Sequence, residues 1–173
     1  MFPITLDLSH LNIMLVGEGN AASRRLTLLK QAGASHIAHY TPANLPNEAD
    51  FDTVSLVMIV DIDETLAARL ASIARSKRIL VNVEDNKRWC DFHFPSIVRR
   101  GSLLLTVSTA GKTPALAKAI RQKLEQLFGH EWGARVDDLE IKRLTWKAEG
   151  KDFNTVKQLL QHIIDTSGWL KTL

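Results

Sequence analysis

Two stretches of this chain gather residue types that can do chemistry. Near the start, Val16-Gly17-Glu18-Gly19-Asn20-Ala21-Ala22 spells a G-x-G-x-x-A turn. In such a turn the first glycine makes the tight bend, the second lets backbone approach a diphosphate, and the small last residue lets a helix pack close to the preceding strand. Gly17, Gly19 and Ala22 fill those places, and the amides of Asn20 and Ala21 would face phosphate oxygens at a helix N-terminus. The plainer reading is a strand-to-helix turn without a ligand. Farther on, the apolar run Val81-Asn82-Val83 ends in Glu84-Asp85. A carboxylate just past a strand is a candidate general base, or the cap of the turn that follows.

These residues need elements to hold them. Short apolar runs at Asn12–Val16, His36–Tyr40, Ser55–Val60, Ile79–Val83 and Leu103–Ser108 read as strands. Ala- and Leu-rich segments at Ala21–Gln31 and Glu64–Ser76 read as crossover helices, with Gly33 stopping the first. The alternation predicts an α/β fold with a Rossmann-like, doubly wound parallel sheet of about five strands, whose ligands sit at the carboxyl ends of the strands. After the last strand the pattern turns helical. Thr113 is placed to cap a helix opening at Pro114, with Leu116, Ile120, Leu124 and Leu127 on one stripe. Gly129 and Gly150 bracket one helix or a pair, and Val156, Leu159, Leu160, Ile163 and Ile164 mark a last amphipathic helix. The expected division is a dinucleotide-binding domain at 1–110 and a helical dimerisation and substrate region at 111–173. The second part is too small for a large core of its own, which predicts a homodimer.

Composition narrows the function. With 173 residues, 45% of them hydrophobic and 24% charged, the chain has the makeup of a folded domain. A formal charge of +3, with basic residues dispersed, argues against a nucleic-acid groove and is compatible with a polycarboxylate ligand. Cys90 stands alone, so an internal disulfide and a cysteine-rich zinc site are excluded. No secretory leader or membrane-length apolar run is read, and a reducing cytoplasm is the expected setting. At the end of the second strand stand His39, Tyr40, Thr41 and Pro42, with neither the carboxylate that usually holds an NAD ribose nor an arginine for a 2′-phosphate. The reading leans to NAD.

Taken together and in order, V-G-E-G-N-A-A, N-V-E-D, F-P-S-I-V-R-R-G and V-S-T-A-G-K-T-P-A-L-A resemble the precorrin-2 dehydrogenase family, the dehydrogenase and ferrochelatase module of siroheme synthase. The resemblance spans roughly residues 1–128. It implies NAD-dependent oxidation of precorrin-2 to sirohydrochlorin, and in some members insertion of ferrous or cobaltous ion as a second reaction. The family's essential aspartate falls on Asp85, and its dinucleotide contacts fall on Gly17, Gly19, Asn20, Ala21, Thr41 and Pro42. Ser108, Thr109, Lys112 and Thr113 are candidates to dock the acidic side chains of the macrocycle, or else a helix cap followed by a solvated lysine. No resident metal site is expected, since one carboxylate makes a poor one.

Other residues are read as structural. Pro95 and Ser96 shape a turn, Phe92 and Phe94 pack, and His93 is expected to be packed or hydrogen-bonded between them. Asp61, Asp63 and Glu64 either approach a nicotinamide ribose or, the safer reading, cap the next helix. The chain departs from the family where Asp61 and Ala67 replace the usual threonine and asparagine. Two further classes therefore stay open: a chelatase that keeps the nucleotide fold as scaffold, and a non-catalytic tetrapyrrole-binding relative.

Overall fold

The computed structural model describes residues 2–171, which form two compact units that divide after Phe94. In the first, β1 (Asn12–Val16), α1 (Gly19–Gln31), β2 (His36–Tyr40), β3 (Leu56–Ile59), α2 (Glu64–Ser76) and β4 (Leu80–Val83) alternate as the apolar runs predict. Their four strands are all parallel, in the order β2-β1-β3-β4. Strand order reverses between β1 and β3, so the crevice where such sheets bind ligands opens at the glycine turn.

Residue alternation explains why the sheet is covered on both faces. Met14, Val16, Val57, Ile59, Val81 and Val83 point into one buried layer with Ala67, Leu70, Ala71 and Ala74 of α2. Ile13, Leu15, Leu56, Met58 and Val60 point the other way, against Ala22 and Leu29 of α1. Small residues on the inner helix faces let the helices lie close to the sheet. Gly33 ends α1 at φ +88, with Ala34 N–H donating to Leu29, a stop that a left-handed glycine provides. Asp63 caps α2 by accepting from the amides of Thr65 and Leu66, as the safer reading expected.

The second unit departs from expectation. The run Leu103–Ser108, read as a fifth parallel strand, holds β6 (Leu103–Val107), which pairs antiparallel with β5 (Ser96–Arg100) in a two-stranded hairpin. Ser96 therefore opens a strand rather than shaping a turn. The run Phe92-His93-Phe94-Pro95 had masked β5, because a proline at a strand's edge reads as loop. The helical pattern anticipated from residue 111 follows as α3 (Pro114–Leu127), α4 (Glu131–Ala148) and α5 (Phe153–Ser167), with the segment between Gly129 and Gly150 forming a single helix. Thr113 occupies the N-cap position of α3, yet its side chain makes no capping bond. Gly101 and Gly133 serve close packing: a Cβ on Gly133 would stand 3.3 Å from the Arg100 carbonyl, which brings α4 against the hairpin turn. No helix among the described residues is long and apolar enough to cross a membrane.

Candidate active site

At the carboxyl end of β1 the chain makes its tight turn for a reason internal to the fold. Gly17 is buried at φ +147, and a Cβ there would lie 2.1 Å from the Val60 carbonyl oxygen. Its amide donates to Tyr40 at 2.9 Å, and His39 Nε2 donates to its carbonyl at 2.9 Å, so the turn is tied to the ends of β2 and β3. Gly19, at φ +70, opens α1 on the solvent side, where an added Cβ would meet one neighbour alone, Asp61 Oδ2 at 3.8 Å. Glu18 at the N-cap makes no side-chain bond, and α1 has no acid in its first turn. The leading amides of α1, including those of Asn20 and Ala21, thus lack the capping side chain that α2 and α5 both have. An open glycine at an uncapped helix start fits a diphosphate.

Thr41 and Pro42 follow β2 in a short turn closed by paired backbone bonds between Thr41 and Asn44. The Tyr40 phenol is held by Asp50, and desolvation first, then that carboxylate, raises it above its ordinary pKa. Tyr40 is thereby committed away from the turn. Backbone groups and the Thr41 hydroxyl remain as contacts at this corner.

Asp85 lies at the end of β4, in a turn closed by the Asn86 amide on the Val83 carbonyl at 3.2 Å. Its φ of +59 is a left-handed conformation that Asp tolerates better than most residues, and its side chain is exposed. The segment after it is held firmly to β4. Asn82, buried in the strand, donates to the Phe92 carbonyl at 2.8 Å. Asp91 accepts from the Val81 amide at 3.1 Å and receives Arg75 at 2.8 Å. Just before Asp85, Glu84 pairs with Arg25 of α1 at 3.3 Å, and that guanidinium sits 4.1 Å from the Phe94 ring centroid. Burial pulls the Arg25 guanidinium below its ordinary pKa, while Glu84 opposes the shift. Phe94 in turn meets Phe92 edge to face, whereas His93 between them is exposed rather than packed.

The Arg25–Glu84 pair has no local signal in the sequence because its members are 59 residues apart. Asn82 carried a usable signal: a polar residue inside a buried apolar strand must find a partner. Removing Glu84 leaves Arg25, only 14% exposed in its side chain, without its carboxylate. Glu84→Ala is expected to cost about 1–3 kcal/mol in urea unfolding. Replacing both partners by apolar residues should recover most of that loss; equal losses in the single and double variants would mean that the unpaired Arg25 charge is not what costs stability.

Ser108, Thr109, Lys112 and Thr113 belong to the second unit, in the loop between β6 and α3. Ser108 Oγ accepts from the Ala110 amide and Thr109 Oγ1 from the Thr113 amide, both at 3.2 Å. Ala110 and Gly111 both take positive φ, at +53 and +72. Each hydroxyl keeps its own proton to donate, and Lys112 is exposed. Among the described residues no group of three or more His, Cys, Asp or Glu side chains could hold a metal ion.

Residues 4–96 match a family model described as "Putative NAD(P)-binding". The chain belongs to this NAD(P)-binding family. The match covers the whole alternating unit from before β1 to the start of β5, so the glycine turn sits in the context that gives it meaning. Among the relatives of this chain are siroheme synthases of Actinobacillus succinogenes, 34% identical over 79% of the chain and 32% of the relative, and of Neisseria meningitidis, 34% identical over 76% and 31%. That of Mannheimia succiniciproducens is 31% identical over 99% of the chain and 38% of its own length. The chain thus spans about a third of the curated relatives it matches. The solved structure of SirC, a precorrin-2 dehydrogenase, superposes with a TM-score of 0.74 over 98% of this chain and 92% of that one, at 22% identity. The resemblance carried by the four motifs is borne out by these relatives, and the Rossmann-like α/β fold by the superposition.

Proposed function

We propose that this chain oxidises precorrin-2 to sirohydrochlorin with NAD as acceptor, on the route to siroheme. The observation that carries the reading is the pairing of an uncapped glycine turn at the switch point with an exposed carboxylate, Asp85, on a pinned turn at the end of β4. Siroheme synthases as relatives, and a precorrin-2 dehydrogenase sharing this fold, support the choice of substrate.

A bound nicotinamide dinucleotide supplies the hydride acceptor. Gly17 and Gly19 shape the turn that admits its diphosphate, the amides of Asn20 and Ala21 meet the phosphates, and Thr41 and Pro42 line the adenosine end. NAD is favoured over NADP because no arginine follows β2 to pair with a 2′-phosphate. The Asp85 carboxylate accepts the proton that leaves the macrocycle carbon skeleton as hydride departs. Ser108, Thr109, Lys112 and Thr113 take the acidic side chains of the substrate through hydroxyl and ammonium donors. Ferrous or cobaltous ion enters as a second substrate, with Asp85 removing pyrrole protons.

A homodimer fits the second unit. Val98, Ala117 and Val156 are its only buried apolar residues among those described, while Ile97, Leu116, Ile120, Ile141 and Leu144 stay exposed. A core that sparse gains from burial against a second copy. The free thiol of Cys90 suits a reducing cytoplasm.

One observation favours a second reading, a chelatase that works without the nucleotide. Ala67, which stands in place of the family's usual polar residue, is 4% exposed and packed in the core under α2, and so offers a ligand nothing. Anaerobic incubation of the protein with precorrin-2 and NAD, followed by its spectrum, separates the two. Sirohydrochlorin formed only with NAD supports the dehydrogenase. No oxidation, but catalysed metal uptake by supplied sirohydrochlorin, replaces it with the chelatase.

A further inference from the structure

We propose that Asp61 is a charge determinant of the dinucleotide site: its carboxylate stands over the first turn of α1 and weakens binding of the diphosphate. The inference rests on the dinucleotide reading above and concerns what this chain adds to it.

The end of β3 is pressed onto the glycine turn. Val60 N–H donates to the Val16 carbonyl at 2.9 Å, and the Val60 carbonyl leaves no room for a side chain on Gly17. The next residue, Asp61, adopts φ +49, and its Oδ2 lies 3.8 Å from the point where a Gly19 Cβ would stand. Gly19 is the first residue of α1, the end at which helix amides and the helix dipole favour negative charge. Apart from Glu18 at its N-cap, α1 carries no acid at this end, and the tertiary fold brings one from the bend that follows β3. Asp63, two residues farther, is spent differently: its carboxylate accepts both leading amides of α2.

A carboxylate at this place interacts with the free protein and with a bound diphosphate in opposite senses. In the free protein it compensates the positive helix end. A diphosphate there would bring like charges together, and at effective dielectric constants between that of a protein surface and water the affinity would fall by roughly 3- to 30-fold. A carboxylate that instead accepted a hydrogen bond from a ribose hydroxyl would raise affinity, so the sign of the effect decides the matter.

Calorimetric titration of NAD into the full chain and into Asp61→Asn tests this, with Asp63→Asn as control and a thermal melt on each. The expected result is NAD binding roughly 3- to 30-fold tighter in Asp61→Asn, with an unchanged or lower melting temperature and no gain in Asp63→Asn. Binding seen only in Asp61→Asn supports the proposal most strongly. Equal or weaker binding in Asp61→Asn than in a wild-type protein that does bind NAD overturns it and leaves the dinucleotide reading intact. No NAD binding in either protein overturns both.

Discussion

Asp85→Ala is expected to lower precorrin-2 turnover by about a hundredfold or more while NAD affinity stays within a factor of about two. The asymmetry follows from where the residue stands. Asp85 closes the β4 end, and its turn is built by backbone bonds between Val83 and Asn86 rather than by its side chain. The glycine turn is built separately, by Gly17, Val60, His39 and Tyr40. On the proposed reading, deleting the carboxylate therefore removes the proton acceptor and little else. Asp85→Asn sharpens the test, since asparagine also tolerates φ +59 but cannot take a proton. If the amide variant kept wild-type turnover, Asp85 would have no chemical role and its residue type would be a matter of turn geometry alone.

Gly17→Ala carries the second large effect, this time on the fold. The added methyl would stand 2.1 Å from the Val60 carbonyl oxygen and 2.7 Å from Val60 Cγ2, with backbone at φ +147 where side chains are strained. Neither neighbour is a flexible chain end, because β3 is held to β1 along its length. The turn must open or β3 must move, at a cost of about 3 kcal/mol or more, and NAD binding should be lost with it. Gly19→Ala provides the contrast: at φ +70 it meets one carboxylate oxygen at 3.8 Å, so about 1 kcal/mol is expected. Denaturant midpoints of the two variants read the difference directly. A Gly17→Ala protein as stable as wild type would mean that β3 yields to the turn, and the rigidity assigned to the switch point would be gone.

Much of the first unit is legible in the residues because its rules are local. A short apolar run bounded by polar turns can be recognised wherever it occurs, and β1 and β2 have the limits the pattern predicts. The helix α2 likewise runs from Glu64 to Ser76, since its cap and its alanine-rich inner face are encoded within one segment. Parallel pairing of β1 with β2 and of β3 with β4 followed from the helices α1 and α2 between them, as chain geometry demands a crossover. The glycine turn and Asp85 could be singled out because their positions relative to strand ends depend on the same local pattern.

Tertiary structure alone decided the rest, wherever the answer depends on which distant segment arrives. The apolar run Leu103–Val107 suits a hairpin as well as a fifth parallel strand, and only the presence of β5 as a neighbour makes it antiparallel. Gly17 is read as a turn glycine from the motif, but its steric reason is the Val60 carbonyl. Glu84 is one more exposed-type acid until Arg25 meets it across 59 residues of chain, and Asp61 is one of several carboxylates after β3 until the fold sets it over Gly19. Local sequence determined which elements form and where a site could open. The charge around that site, and the room left for side chains in it, were decided by contacts between segments that carry no mark of one another along the chain.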